Sequence, residues 1–211
     1  MLSILYKRYT GITVPQFRKD IESIGVYIPG KPIEDVMREF GLTDIVKLAS
    51  NECPEEPFAA VQEAVAAAAA DSHRYPDTMA YDLSGALAEL HSIDRDNLLV
   101  GPGSSQILMS TAHAAGGPGT SAVFAETSFL LYSIITKMSR AQAIVVPLDD
   151  ELRHDVGALI RAVRKDTTVL YLCNPNNPTG TYIAPEEVDR IVAEVSSDVL
   201  VVVDEAYEEY V

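Results

Sequence analysis

Three short strings in this 211-residue chain carry residue types suited to chemistry, and each follows an apolar run. The first is Gly101-Pro102-Gly103-Ser104-Ser105, between a predicted strand and a predicted helix. Glycines let the backbone turn sharply, the next helix presents free N–H groups, and serine hydroxyls add donors. Together these make a cup for a phosphate. The string is neither a P-loop nor a GxGxxG fingerprint, so a plain capped turn competes with that reading. The second is Cys173-Asn174-Pro175-Asn176-Asn177-Pro178-Thr179-Gly180. Two prolines stiffen it and three asparagines offer amide donors to a ligand, although a decorated turn has the same composition. The third is Val203-Asp204-Glu205-Ala206-Tyr207. Asp204 ends a wholly apolar strand, where a carboxylate is costly unless it meets a positive partner. A protonated ring nitrogen would serve, and Tyr207 could face the same place. The competing role for Asp204 is a helix cap.

The elements that must position these strings alternate in period. Pro32 opens an amphipathic helix striped by Ile33, Val36, Met37 and Phe40 and stopped by Gly41. Before it, a short helix is expected from Thr13 through Ile21, and residues 26–30 read as extended because Pro29 disfavours helix in Ile28. Strands are expected at 45–48, 98–100, 122–125, 143–146, 168–173 and 199–203. Helices are expected at 57–70, 79–91, 105–114, 129–138, 156–163 and 185–195. Strands separated by helical stretches imply βαβ units and a mostly parallel sheet with helices on both faces, a three-layer αβα sandwich. Ligands of such sheets sit beyond the carboxyl ends of the strands, where all three strings fall.

Composition narrows the function classes. Acidic residues number 31 against 16 basic, a net charge of -15, which argues against nucleic acid or an anionic membrane as a partner. Cys53 and Cys173 stand far apart, outside any CxxC pair, so neither a disulfide framework nor a zinc site is indicated. His73, His91, His113 and His154 are scattered, no GxSxG elbow exists, and metal ligands are not expected. The N-terminus is too short and polar for a signal peptide, and no apolar run is long enough to span a membrane. A cytoplasmic setting is the expectation.

The strings GPGSS, NPNNPTG and VVVDEAY, in this order, resemble the large domain of a fold-type-I pyridoxal-phosphate aminotransferase. More narrowly, IPGKPIEDVMREFGL, KLASNE and HRYPD resemble the histidinol-phosphate aminotransferase family, from about Tyr27 to the last residue. The resemblance implies pyridoxal 5'-phosphate as cofactor, L-histidinol phosphate and 2-oxoglutarate as reactants in histidine biosynthesis, and a homodimer. It divides the chain into an N-terminal arm, 1–45, and a partial cofactor-binding domain, 46–211. By this resemblance the amides of Ser104 and Ser105 hold the cofactor phosphate. Phe129 stacks on the pyridine ring, although a simple core role is its alternative. Asn177 and Tyr207 donate to the phenolic oxygen, and Asp204 keeps the ring nitrogen protonated. Tyr75 reaches the phosphate of the neighbouring subunit, and Tyr27 lies close to the substrate across the dimer.

This sequence also departs from that pattern. Where the family continues with Asn-Pro and then Leu-Gly after SNE, this chain reads Cys53-Pro54-Glu55-Glu56-Pro57, which adds negative charge. Ser105 and Gln106 stand where acidic residues are usual. The lysines are Lys7, Lys19, Lys31, Lys47, Lys137 and Lys165; none follows a serine by three and none follows Asp204. The Schiff-base lysine that the resemblance calls for is therefore expected to be absent from these residues, and the sheet to be incomplete at its C-terminal side. Three alternatives stand beside the main reading: another pyridoxal-phosphate aminotransferase, an enzyme like threonine-phosphate decarboxylase, or an inactive fragment acting as a binding module.

Overall fold

A computed structural model describes residues 18–24 and 30–211, which fall into two compact units. The first comprises residues 30–101 and is helical. Helix α1 (Ile33–Phe40) follows Pro32 and ends at Gly41, whose φ of 65° gives the left-handed C-terminal turn that glycine adopts without strain. Helix α2 (Ala59–Ala69) and helix α3 (Tyr81–His91) follow. Ser84 is buried and takes a hydrogen bond from Arg95 Nε at 2.9 Å, while the Arg95 guanidinium lies over the Tyr81 ring, 3.7 Å from its centroid. The strands expected at 45–48 and 98–100 are not strands. Val46, Leu48 and Leu99 are exposed there, and neither run has a neighbouring strand to pair with among the described residues. A short apolar run becomes a strand only where another strand meets its backbone groups.

The second unit comprises residues 18–24 and 102–211. Of the helix expected from Thr13 through Ile21, residues 13–17 lie outside the described residues, Arg18 is extended, and residues 19–21 belong to a 3₁₀ turn that runs on to Ser23. Beyond it, helix α4 (Ser104–Ala115) leads to strand β1 (Ser121–Ala125). Helix α5 (Leu131–Met138) follows, then strand β2 (Gln142–Val146) and helix α6 (Val156–Ala162). Strand β3 (Thr167–Cys173), helix α7 (Pro185–Glu194) and strand β4 (Leu200–Asp204) close the unit. All four strands are parallel, in the order β2-β1-β3-β4.

Alternation along the strands builds two cores, one on each face of the sheet. Val123, Leu170 and Leu172 point to one side, where they meet Val156 and Leu159 of α6 and Ile191 of α7. Ala122, Phe124, Val169, Tyr171 and Cys173 point to the other, against Leu108 and Ala112 of α4 and Tyr132 and Ile135 of α5. The expected three-layer sandwich is thus formed by the second unit. Asp155 caps α6 by accepting from the Ala158 N–H at 2.8 Å, and Pro185 opens α7.

Candidate active site at the carboxyl edge of the sheet

Strands β3 and β4 end side by side, with Cys173 paired to Asp204 in register. Because Val203 belongs to the α6/α7 face, Asp204 turns to the α4/α5 face. There the carboxylate is 7% exposed, and Oδ2 accepts a hydrogen bond of 2.8 Å from the Tyr132 hydroxyl. No described residue donates to the other carboxylate oxygen, and no ion pair neutralises the charge among the described residues.

Tyr132 is itself locked. Its ring stacks on Tyr171 at 5.0 Å between centroids and 6° between planes, and it forms a T-shaped pair with Phe129 at 5.8 Å and 85°. The Tyr171 hydroxyl shares a 3.2 Å hydrogen bond with Thr111 Oγ1 of α4. Burial, then the neighbouring Cys173 and Asp204, push the Tyr132 phenol far above its ordinary range, so it remains a neutral donor. Burial likewise raises the Cys173 thiol, opposed by the N–H that Asn177 directs at its sulfur from 3.3 Å.

The asparagine-proline loop is built from its own side chains. Asn174 Nδ2 donates to the Ile183 carbonyl at 3.1 Å, and the Ile183 N–H donates to Asn174 Oδ1 at 2.7 Å. Asn176 Nδ2 donates to the Thr127 carbonyl at 2.9 Å and to Thr179 Oγ1 at 2.7 Å, while the Ser128 hydroxyl donates to Asn176 Oδ1 at 2.8 Å. Asn174 and Asn176 are therefore structural. Asn177 is half-buried, and its side-chain amide has no hydrogen-bond partner among the described residues.

At the start of α4, Gly103 lies at φ 80°, ψ 167°, a conformation open to glycine, and no described side chain caps the helix. Ser104 and Ser105 are exposed, and the first-turn amides have no acceptor within the helix. Only five residues separate the end of α4 from the start of β1, which turns the chain back and puts the N-terminus of α4 at the edge where the strands end.

The structure thus joins Asp204, Asn177 and Phe129 through Tyr132 and Cys173, and places Ser104 and Ser105 on the same edge. Tyr207 is half-buried just past β4. Tyr75 is wholly exposed in the other unit, and Tyr27 lies outside the described residues. Tyr132 is a site residue that sequence reasoning missed. Its one signal is its place three residues after Phe129, on the same face of the helix expected at 129–138.

A three-layer sheet whose carboxyl edge presents a buried carboxylate, a free amide and an uncapped helix start is an enzyme-like architecture. The sequence profile of the aminotransferases of class I and II matches residues 43–211, and the chain belongs to that family. It is 44% identical over 192 residues to histidinol-phosphate aminotransferase 1 of Cupriavidus pinatubonensis, covering 90% of this chain and 51% of that protein. It is 39% identical over 202 residues to the aromatic amino acid aminotransferase of Streptomyces coelicolor, covering 94% and 54%. Among solved structures, the histidinol-phosphate aminotransferase of Sinorhizobium meliloti in complex with pyridoxal-5'-phosphate superposes with a TM-score of 0.82 at 26% identity, over 93% of this chain and 52% of that one. The aspartate aminotransferase of Rhizobium meliloti, at 20% identity and a TM-score of 0.74 over 92% of this chain and 52% of that one, shares the fold. The chain spans about half the length of the curated relatives it matches.

Proposed function

We propose that this chain is the cofactor-binding portion of a pyridoxal-phosphate-dependent aminotransferase that passes the amino group of L-histidinol phosphate to 2-oxoglutarate in histidine biosynthesis. The observation that carries the reading is Asp204, a carboxylate 7% exposed at the end of an apolar strand, with one neutral donor and no cation among the described residues. Such a group is stable where a ligand brings positive charge, and a protonated pyridine nitrogen does so. The free Asn177 amide and the uncapped α4 amides fit the phenolic oxygen and the phosphate of the same ligand.

In this reading Ser104 and Ser105 hold the phosphate, Phe129 covers one ring face and excludes water, and Asn177 and Tyr207 orient the phenolic oxygen. Asp204 holds a proton on the ring nitrogen. When bound, the cofactor supplies an electron sink for the carbanion at the substrate α-carbon. Residues 46–211 then form part of the cofactor domain, and residues 1–45 an arm. Tyr75 serves the neighbouring subunit's phosphate and Tyr27 the substrate across a homodimer. Two unpaired cysteines suit the reducing cytoplasm, and no described helix is long and apolar enough to cross a membrane.

The aromatic aminotransferases at 38–39% identity support a second reading, in which the amino donor is an aromatic amino acid. Glutamate formation from 2-oxoglutarate by the intact protein separates the two. Turnover with L-histidinol phosphate and little with phenylalanine supports the first, and the reverse order refutes it.

A further inference from the structure

Tyr132 and Asp204 meet at the strand ends, and the function proposed above uses only the second of them. We propose that Tyr132 is a positioning residue: its hydroxyl holds Oδ2 of Asp204 so that the remaining carboxylate oxygen is the one presented to the ring nitrogen of the cofactor. This rests on the pyridoxal-phosphate reading above.

The pair is built as a unit. Asp204 Oδ2 accepts from Tyr132 at 2.8 Å, and the other oxygen accepts from no described residue. A carboxylate rotates freely about its last bond unless a donor fixes it. Tyr132 is fully buried, is flat against Tyr171 and is perpendicular to Phe129, so the donor has one position. Tyr171 is tied in turn to Thr111 of α4, the helix whose first turn carries Ser104 and Ser105. One chain of contacts therefore runs from the helix of the phosphate cup to the carboxylate. The donor is also uncharged, and that matters. An arginine or lysine would neutralise Asp204 and remove its reason to hold a ring proton. A tyrosine orients the carboxylate and leaves its charge in place.

The test compares two ligands on the intact, cofactor-free protein by titration calorimetry: pyridoxal phosphate, and its analogue in which carbon replaces the ring nitrogen. Tyr132→Phe keeps the stacked ring and deletes the hydroxyl. It is expected to weaken pyridoxal phosphate about tenfold while the analogue changes by less than about twofold, because only the former meets Asp204 through a charged hydrogen bond. Equal weakening of both, or of neither, overturns the role of Tyr132 and leaves the function standing. An unaltered protein that binds neither ligand, or both equally well, instead removes the reading of Asp204 and with it the proposed cofactor. Should Tyr132→Phe fail to fold, 4-fluorophenylalanine at position 132 fills the hydroxyl's volume without donating, and carries the same comparison.

Discussion

Asn174 and Ile183 clamp the two ends of the asparagine-proline loop with a reciprocal pair of buried hydrogen bonds, 3.1 Å from Asn174 Nδ2 to the Ile183 carbonyl and 2.7 Å from the Ile183 N–H back to Asn174 Oδ1. Asn174→Ala breaks both and strands the Ile183 backbone groups among apolar neighbours. The expected loss is about 2–3 kcal/mol of unfolding free energy, read from urea denaturation. Because Asn177 rides on the clamped loop, pyridoxal phosphate binding should weaken in the same variant. A stability change under about 0.5 kcal/mol would mean that the loop is held elsewhere.

The asparagines show how much the sequence disclosed. Their string marked a polar loop at a strand end, but not which amide faces inward, since Asn174, Asn176 and Asn177 are chemically alike. The fold decides: Asn174 and Asn176 are consumed by Ile183, Thr127 and Thr179, and Asn177 is left over. From β1 onward, helices and strands fell within one or two residues of the apolar periods, because each strand there has a partner. Residues 45–48 and 98–100 had the same local pattern without a partner, and local pattern could not supply one. Tyr132 was hidden for another reason. On a helix stripe an aromatic ring signals core, and its hydroxyl matters only once β4 brings Asp204 to it.

His154 is 7% exposed, neither ring nitrogen has a hydrogen-bond partner among the described residues, and burial lowers its pKa from 6.5 to about 4. The folded protein therefore resists the proton that the unfolded chain accepts near pH 6.5. Stability contributed by the neutral ring is whole above that pH, falls as the pH drops, and levels off below about 4. The full linkage is about 3 kcal/mol. Urea midpoints between pH 7 and 4 should show it as the difference between the unaltered protein and His154→Leu, in which carboxylate effects shared by both cancel. Parallel curves would mean that the imidazole finds a partner or water in solution.

Among the described residues strand β4 pairs with β3 on one side only, and Leu200 is 44% exposed. An apolar edge with unpaired N–H and C=O groups invites another strand. The 211-residue polypeptide should self-associate with rising concentration, measured by light scattering on a sizing column. Leu200→Lys should reduce that association while changing stability by no more than about 0.5 kcal/mol, since the side chain is already half in solvent. A monodisperse monomer at every concentration would show that the edge is covered.

Gly103 tests the phosphate cup apart from the ring site. Its backbone, φ 80° and ψ 167°, suits glycine, yet a Cβ built there would meet no atom within 4 Å. The cost of Gly103→Ala is thus conformational, about 1–3 kcal/mol, and the chain relieves it by rotating the peptide that aims the first amides of α4. Gly119 is the control: its φ is 86°, its Cβ would also meet open space, and it lies in the turn before β1. Both variants should lose stability, but only Gly103→Ala should lose affinity for pyridoxal phosphate, by about tenfold or more, if amide hydrogen bonds to a charged phosphate are disturbed. Pyridoxal without its phosphate should bind Gly103→Ala as it binds the unaltered protein. Ser104→Ala, which leaves the amide in place, should cost less than Gly103→Ala. If pyridoxal and its phosphate weaken together, Gly103 shapes the ring site and the phosphate is held by other groups.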